Sequence, residues 1–316
     1  MQDIEDYREE LELIFAEASE ELAGLPAGLS ERGRDLLALS NPLRNGGRAN
    51  RISYLLPYWI REQMFGPIEL TRDLAVGNLF AMLRFFVLDD AMDGSERNPE
   101  GIRGSLALGP LLDELFKRRY HRHFPHDSAL WDCYRRYLRE WASAVYSEMA
   151  NPIDPSDFGQ LARKAAPVKL CASGMVLQAG RTDRIPDIEE AVDLALAVLQ
   201  LSDDWADWRD DLSTPNGNAF LSIVRSQLAL SHEDGLNERS VRRAIFHHHA
   251  ADRLAEIAES YVEKLRRVPG APDRLTAFAH AIAEGIRRDA LHAEETRQRL
   301  AEEGGLAILL SKLERI

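Results

Sequence analysis

Apolar residues recur every three or four positions along most of this chain. In residues 4–22 they fall at Ile4, Leu11, Ile14, Phe15 and Leu22, which is the spacing of one buried stripe on a helix. Ser30 is a candidate N-cap and predicts a further helix that begins there. Similar stripes predict helices over 51–64, 69–92, 128–150, 187–213, 239–267 and 273–300. No segment alternates apolar and polar residues as a half-buried strand does, so the pattern predicts an all-α fold.

The segments between these stripes are short and rich in Gly, Pro, Asn and Asp. None is long enough to connect two separate domains. We therefore expect one large helical domain over residues 1–316, with two helical domains as the alternative.

One stripe, "LARKAAPVKLCASGMVLQAG" at 161–180, is interrupted by Pro167 and Gly174. Proline removes a backbone donor and clashes with the preceding turn, so a kink is expected. Two explanations stay open. The segment is either a boundary between two helices or a break that exposes basic side chains to a cavity, namely Arg163, Lys164 or Lys169.

Composition and charge narrow the class of protein. Hydrophobic residues make up 45% and charged residues 29% of the chain, as in a soluble globular protein. The net charge of −13 argues against a nucleic-acid partner but permits an anionic small substrate held through metal ions. The acidic N-terminus is unlike a signal peptide, and no apolar run approaches the roughly 20 residues that span a bilayer. Because the two cysteines, Cys133 and Cys171, are far apart, we expect a cytoplasmic protein without disulfides.

The stripe over 69–92 ends in the motif "DDAMD". Its aspartates are Asp89, Asp90 and Asp93. One to two turns upstream, the same face carries Met82, Phe85 and Phe86. Like charges four residues apart on a helix repel one another, so the cluster is favourable only with a counter-ion.

The stripe over 187–213 ends in a second motif of the same spacing, "DDWAD". Its aspartates are Asp203, Asp204 and Asp207, and Asp211 extends the series by one more turn. Upstream on this face lie Leu196, Leu199 and Gln200. One such cluster is ordinary helix surface. Two clusters that face each other across a helical bundle would form an all-oxygen site for divalent cations such as Mg²⁺, which accept phosphate oxygens as further ligands.

With these two motifs the chain resembles a trans-isoprenoid synthase. This all-α family comprises prenyl-diphosphate synthases, squalene and phytoene synthases and class I terpene synthases. The resemblance implies a single α-helical bundle with a central active-site cavity, in which three Mg²⁺ ions bind the diphosphate of an allylic substrate. The aspartates that it implies as catalytic groups and metal ligands are Asp89, Asp90, Asp93, Asp203, Asp207 and Asp211, with Asp204 as a further metal ligand.

The resemblance also implies substrate-binding residues. Pocket candidates are Met82, Phe85, Phe86 and Gln200. The basic candidates for holding diphosphate are Arg163, Lys164, Lys169, Arg287 and Arg288. Many members of the family are homodimers, so a homodimer is one expected state of this chain.

Chain-elongating members of the family carry a basic motif near the N-terminus, and here "NGGRANRISYLLP" supplies only Arg48 and Arg51. The paired arginines that normally follow the first motif are missing. The expected function is therefore a class I terpene synthase that converts farnesyl or geranylgeranyl diphosphate to a hydrocarbon or alcohol. The alternatives are a prenyl-diphosphate synthase, a squalene- or phytoene-synthase-like prenyltransferase, and, less favoured, a non-catalytic regulatory subunit.

Overall fold

The computed structural model describes residues 2–44, 51–92, 98–148, 152–214, 217–231 and 234–302, and all regular structure in these ranges is helical. The all-α prediction is confirmed. In chain order the α-helices are α1 Gln2–Asp6, α2 Arg8–Ala23, α3 Ala27–Ser40, α4 Ile52–Met64, α5 Ile68–Met92, α6 Pro99–His121, α7 Leu130–Ser147, α8 Phe158–Ala162, α9 Lys169–Gln178, α10 Ile185–Asp207, α11 Ala219–Gln227, α12 Glu238–His247, α13 Ala250–Arg267 and α14 Asp273–Glu302. Short 3₁₀ segments cover Arg163–Val168, Thr182–Arg184 and Asp210–Ser213. None of the helices in these ranges combines the length and the apolar character that crossing a membrane requires.

The chain divides into two compact units. Unit 1 comprises Met1–Arg139 and Pro167–Glu189, and unit 2 comprises Glu140–Ala166 and Glu190–Ile316. Two of the divisions fall inside α7 and α10, so each of these helices contributes residues to both units. A single domain over 1–316 stays a prediction.

In unit 1, α5 packs against α2, α4, α6 and α9. Its apolar residues surround the helix rather than forming a stripe, and they are buried almost continuously from Leu70 to Leu83. A helix that is apolar on all sides is stable only inside a core. Gly77 permits a close approach of α6, since a Cβ atom there would lie 2.6 Å from the Tyr120 ring.

A charged network also holds unit 1 together. Arg119 of α6 is 4% exposed, and its guanidinium donates to Asp73 of α5 at 2.6 Å and to Glu17 of α2 at 2.6 Å. Glu21 accepts a further bond from the same guanidinium. These partners compensate the buried charge, which would be costly if it were left alone.

In unit 2, α13 and α14 form the main pair, and α11 and α12 pack against α13. The buried stripe of α13 includes Leu254, Ala258, Tyr261 and Leu265, at helical spacing. Asn237 opens α12 with a capping box. Its side-chain oxygen accepts from the Ser240 backbone N–H, and the Ser240 hydroxyl accepts from the Asn237 backbone N–H.

Several predicted elements match the structure closely. The predictions over 51–64, 69–92, 128–150 and 273–300 correspond to α4, α5, α7 and α14. The kink is confirmed as a boundary between two helices, because Pro167 lies in the 3₁₀ segment between α8 and α9. Gly174 does not break α9, and the space above its Cα is filled by Phe124 and Leu74.

Other predictions about the elements are wrong. The helix expected over 187–213 ends at Asp207, and the one expected over 239–267 is divided at His249, whose φ of 55° starts a new helix. Ser30 is not a cap; it is buried inside α3, which begins after Pro26. The stripes also gave no prediction for α6 or α11.

Candidate functional site

The first aspartate motif begins in the last turn of α5. Asp89 is exposed and Asp90 is half-buried, and Asp93 lies outside the described residues. The last turn of α5 contains no basic residue. The negative end of the helix dipole lies at this end, where a positive charge is stabilised.

The aromatic side chains upstream of this motif differ in how accessible they are. Met82 is 5% exposed and belongs to the core of unit 1, whereas Phe86 is 41% exposed. Phe85 is half-buried, and the Arg84 guanidinium lies over its ring at 5.1 Å from the ring centre. Phe85 and Phe86 therefore keep surface that a ligand can contact, and Met82 offers very little.

The second motif occupies the last turn of α10. Asp203 and Asp207 lie four residues apart on one face, and both are exposed. Neither forms a hydrogen bond or an ion pair with any other residue that the structure describes. The last turn of α10 also lacks a basic residue. This pair of carboxylates thus lies at the C-terminal end of α10, where the helix dipole favours a cation.

Asp204, unlike Asp203 and Asp207, is buried in unit 2 and only 4% exposed. Its Oδ2 accepts a hydrogen bond from the Ala219 backbone N–H at 2.7 Å, and its Oδ1 accepts one from the Gln200 side chain at 2.7 Å. Both oxygens are therefore already used inside unit 2. This bonding favours a structural role for Asp204, in which its carboxylate holds the start of α11. The Gln200 amide donates to the same carboxylate and supports that role.

The carboxyl groups of this cluster are shifted toward their protonated forms. Burial raises the pKa of Asp204 to about 7, although its hydrogen bonds and the nearby Lys164 charge favour the carboxylate. Asp203 keeps exposed surface, yet the desolvation of its carboxyl group and the negative charge of Asp207 raise its pKa to about 6. Desolvation, followed by the charges of Asp211 and Asp210, raises the pKa of Asp207. Desolvation is the largest cause of each shift and repulsion between the aspartates adds to it, so a bound cation would favour the charged forms.

Asp211 is not part of α10; it lies in the 3₁₀ segment Asp210–Ser213. The expected continuous helical series of Asp203, Asp207 and Asp211 is therefore wrong in its geometry. Asp211 nevertheless remains close to the cluster, since its charge raises the pKa of both Asp204 and Asp207. Its Oδ2 accepts a hydrogen bond from the Asn218 side chain at 2.8 Å.

The three basic residues near the kink have different surroundings. Lys164 forms an ion pair with Glu148 in unit 2. Arg163 is exposed and has no ion-pair partner within the described ranges. Lys169 belongs to unit 1, is 4% exposed, and its ammonium lies 4.9 Å from the centre of the Tyr137 ring. Of the three, Arg163 is the most available to an external anion.

The predicted pair on α14 is likewise unequal. Arg287 donates to both carboxylate oxygens of Glu259 on α13, at 2.7 and 2.8 Å, and lies 3.4 Å from Asp252. The hydrogen bonds to Glu259 raise the pKa of the Arg287 guanidinium further and hold this group in place. Arg288 is exposed and has no such partner among the described residues. Both line a groove of about 630 Å³ between α13 and α14, together with Glu259, Glu263 and Glu284. Its mixed charges do not favour an anion.

Two residues near the second motif were missed from the sequence. Asn218 is fully buried and connects Asp204 to Asp211, and Glu148 binds Lys164 while approaching Gly217. The signal for Asn218 was present, since an asparagine that follows "PNG" and precedes an apolar run is typical of an N-cap. Glu148 gave no comparable signal, because it is one of many acidic residues.

Among the residues that the structure describes, no three His, Cys, Asp or Glu side chains are grouped so as to hold a metal ion. Mg²⁺ binding therefore stays a prediction. The expected roles of Arg48 in the basic motif and of Asp93 as a metal ligand also stay predictions, because both residues lie outside the described ranges. Arg51 lies at the N-cap of α4. In the comparisons with known proteins, neither a protein-family model nor a curated protein matches this chain.

Proposed function

We propose that this protein is a Mg²⁺-dependent class I terpene synthase. Its substrate would be an allylic prenyl diphosphate, farnesyl or geranylgeranyl diphosphate, and its products a terpene hydrocarbon or alcohol and free diphosphate. The observation that carries the proposal is the repeated motif: two DDxxD sequences, each at the C-terminal end of a helix whose last turn lacks a basic residue. The C-terminal end of a helix favours cations over anions, so both motifs lie where a positive charge is stabilised.

The donor set fits Mg²⁺. Asp203 and Asp207 present carboxylate oxygens from one helix face, and their pKa values are raised by desolvation first and by neighbouring aspartates second. Mg²⁺ commonly binds through one or two carboxylates, keeps several waters and takes phosphate oxygens as further ligands. The residues that would hold Mg²⁺ are Asp89, Asp90, Asp93, Asp203, Asp207 and Asp211. The hydrogen bonds of Asp204 favour a structural role for this residue instead.

When bound, Mg²⁺ would supply Lewis-acid stabilisation of the departing diphosphate. The chain's own residues would bind, orient and shield the substrate. The exposed guanidinium group of Arg163 is the best anion candidate, because Lys164 and Arg287 already bind carboxylates. Arg288 shares its groove with three glutamates, which makes it a weaker one. Phe85 and Phe86 would exclude water from the reacting hydrocarbon, and an aromatic face also attracts a cationic centre.

The test is an incubation of the purified protein with Mg²⁺ and geranyl, farnesyl or geranylgeranyl diphosphate, each with and without isopentenyl diphosphate. We expect a hydrocarbon or alcohol, identified by mass spectrometry, from one allylic diphosphate alone. A longer diphosphate that forms only with isopentenyl diphosphate would instead make the protein a prenyltransferase and give Arg48 and Arg51 a binding role. No product from any combination would favour a non-catalytic protein.

Variants then connect activity to the two motifs. Asp90→Asn and Asp207→Asn should each lower turnover by at least about 10²-fold, the usual loss when one key electrostatic group is removed. Both should fold, because each relieves repulsion within a cluster. Asp132→Asn is the matched control: it makes the same substitution at an exposed helical aspartate, which pairs only with Arg135 three residues away. Full turnover in Asp90→Asn would contradict the assignment.

A further inference from the structure

We infer that Asn218 is a positioning residue whose side-chain amide holds the Asp211 carboxylate in place for cation binding. The inference rests on the proposed function, because it assigns Asp211 to the Mg²⁺ site. It adds a residue outside both aspartate motifs, and every contact on which it depends lies within unit 2.

The oxygen and both N–H groups of one buried amide have hydrogen-bond partners. Asn218 is fully buried and is the N-cap of α11, where its Oδ1 accepts from the Leu221 backbone N–H at 2.9 Å. Its Nδ2 donates to the backbone carbonyl of Asp204 at 2.8 Å and to Oδ2 of Asp211 at 2.8 Å. An asparagine side chain has one acceptor oxygen and two donor hydrogens, and here each has a partner.

Asp211 depends on this contact because α10 has already ended. The helix stops at Asp207, so the regular spacing of α10 no longer fixes the direction of the Asp211 side chain. The amide of Asn218 fixes Oδ2 of Asp211, and Oδ1 forms no hydrogen bond with the described residues. A carboxylate held at one oxygen presents the other in a defined direction. This is what an outer partner of a metal ligand does.

Asp204 completes the arrangement from the neighbouring position. Its carboxylate accepts from the N–H of Ala219, the first residue of α11, and the Asp211 carboxylate accepts from Asn218, the N-cap. Both aspartates are therefore held at the start of α11. Capping alone does not require asparagine at 218, since serine and aspartate cap helices about as well. Only an amide can cap α11 and also donate to both Asp204 and Asp211.

The test is a titration of the full-length protein with Mn²⁺, alone and with inorganic diphosphate, followed by electron paramagnetic resonance of the free ion. Asn218→Ser keeps a capping oxygen but is too short to donate to Asp211. We expect it to bind Mn²⁺ at least about tenfold more weakly, the usual loss for an outer partner of a ligand. Asn237→Ser is the matched control, because Asn237 also caps a helix of unit 2 and its cap bonds go to Ser240. Its Mn²⁺ affinity should equal that of the wild type.

A reversed pair separates positioning from plain stability. Asn218→Asp combined with Asp211→Asn exchanges donor and acceptor and so restores the hydrogen bond, but it moves the carboxylate off residue 211. This double variant should recover part of the thermal stability lost in Asn218→Asp, yet bind Mn²⁺ no more tightly than Asp211→Asn. It also serves as the measurement if Asn218→Ser does not fold.

Each outcome has one meaning. Wild-type Mn²⁺ affinity in folded Asn218→Ser, or in Asp211→Asn, would overturn the positioning role and leave the proposed function standing. If both variants bind Mn²⁺ more weakly as expected, but the wild-type protein turns over no prenyl diphosphate, the proposed function is overturned and the positioning role is kept. A wild-type protein that does not bind Mn²⁺, even with diphosphate, would overturn both.

Discussion

Replacing Asp204 by asparagine should remove the pH dependence that this residue gives to the stability of the protein. Asp204 is 4% exposed and its pKa is raised to about 7 by burial. The folded chain therefore binds a proton here that the unfolded chain releases near pH 4. In metal-free protein this makes the free energy of unfolding fall as the pH rises from about 4 to about 7.

The magnitude follows from the shift. From the ordinary value of 3.8 to about 7 is roughly three pKa units, and each is equivalent to about 1.4 kcal/mol, so the ionised carboxylate costs the fold ~4 kcal/mol above pH 7. Asparagine at 204 has nearly the same shape and does not ionise. Its oxygen can still accept from the Ala219 N–H, and the Gln200 amide can rotate to present its own oxygen.

The assay is urea unfolding in the presence of a chelator at pH 4.5, 6 and 8, comparing Asp204→Asn with the wild type at each pH. The difference in unfolding free energy should shift in favour of the variant by ~3 kcal/mol between pH 4.5 and pH 8, because part of the cost is already present at pH 4.5. Contributions of other titrating groups cancel in this difference. The exposed substitution Asp132→Asn should stay within about 0.5 kcal/mol of the wild type at each pH. A difference for Asp204→Asn that stays constant with pH would refute the reasoning.

Two further predictions concern the packing and the charges of the fold. Gly77→Ala should lower the free energy of unfolding by about 1–3 kcal/mol in urea unfolding, because the new methyl group would meet the buried Tyr120 ring at 2.6 Å. Gly285→Ala, in a helix with open space above it, should instead raise it by about 0.5–1 kcal/mol, and equal effects would contradict the account of Gly77. Arg119→Met should destabilise by about 3–5 kcal/mol, because it leaves buried carboxylates without their partner. Arg8→Met, in an exposed pair, should change the melting temperature little, and a similar loss in both would refute the role of burial.

The long helices were predictable because tertiary structure leaves their periodicity intact. α14 carries buried apolar residues at helical spacing from Leu275 to Ala290, and α5 is apolar enough that its burial was evident. α6 escaped prediction because Pro110 and several glycines interrupt its pattern. Its start was nevertheless readable, since Asn98 is an N-cap and Pro99 occupies the first helical position.

The end of α10 was not predictable from local sequence. No proline or glycine follows Asp207 directly, and the segment after it is held by contacts from Asn218, eleven positions further along. The inward direction of Asp204, in contrast, was present in the pattern. Asp204 lies three residues after Leu201 and four before Trp208, both buried, so it shares their face of the chain. The DDxxD spacing alone does not indicate which of its aspartates lies on the buried face of the helix.

The division of the chain has a consequence for its synthesis. Unit 1 needs residues 167–189 as well as 1–139, so it cannot be complete until the ribosome has passed Glu189. By then the 140–166 segment of unit 2 has emerged, and it must wait for 190–316 before it can pack. Chains usually fold domain by domain from the N-terminus during synthesis. Here unit 1 is not complete when its first segment ends at Arg139, and a shortened gene that stops there or at Ala166 would encode an incomplete core for both units.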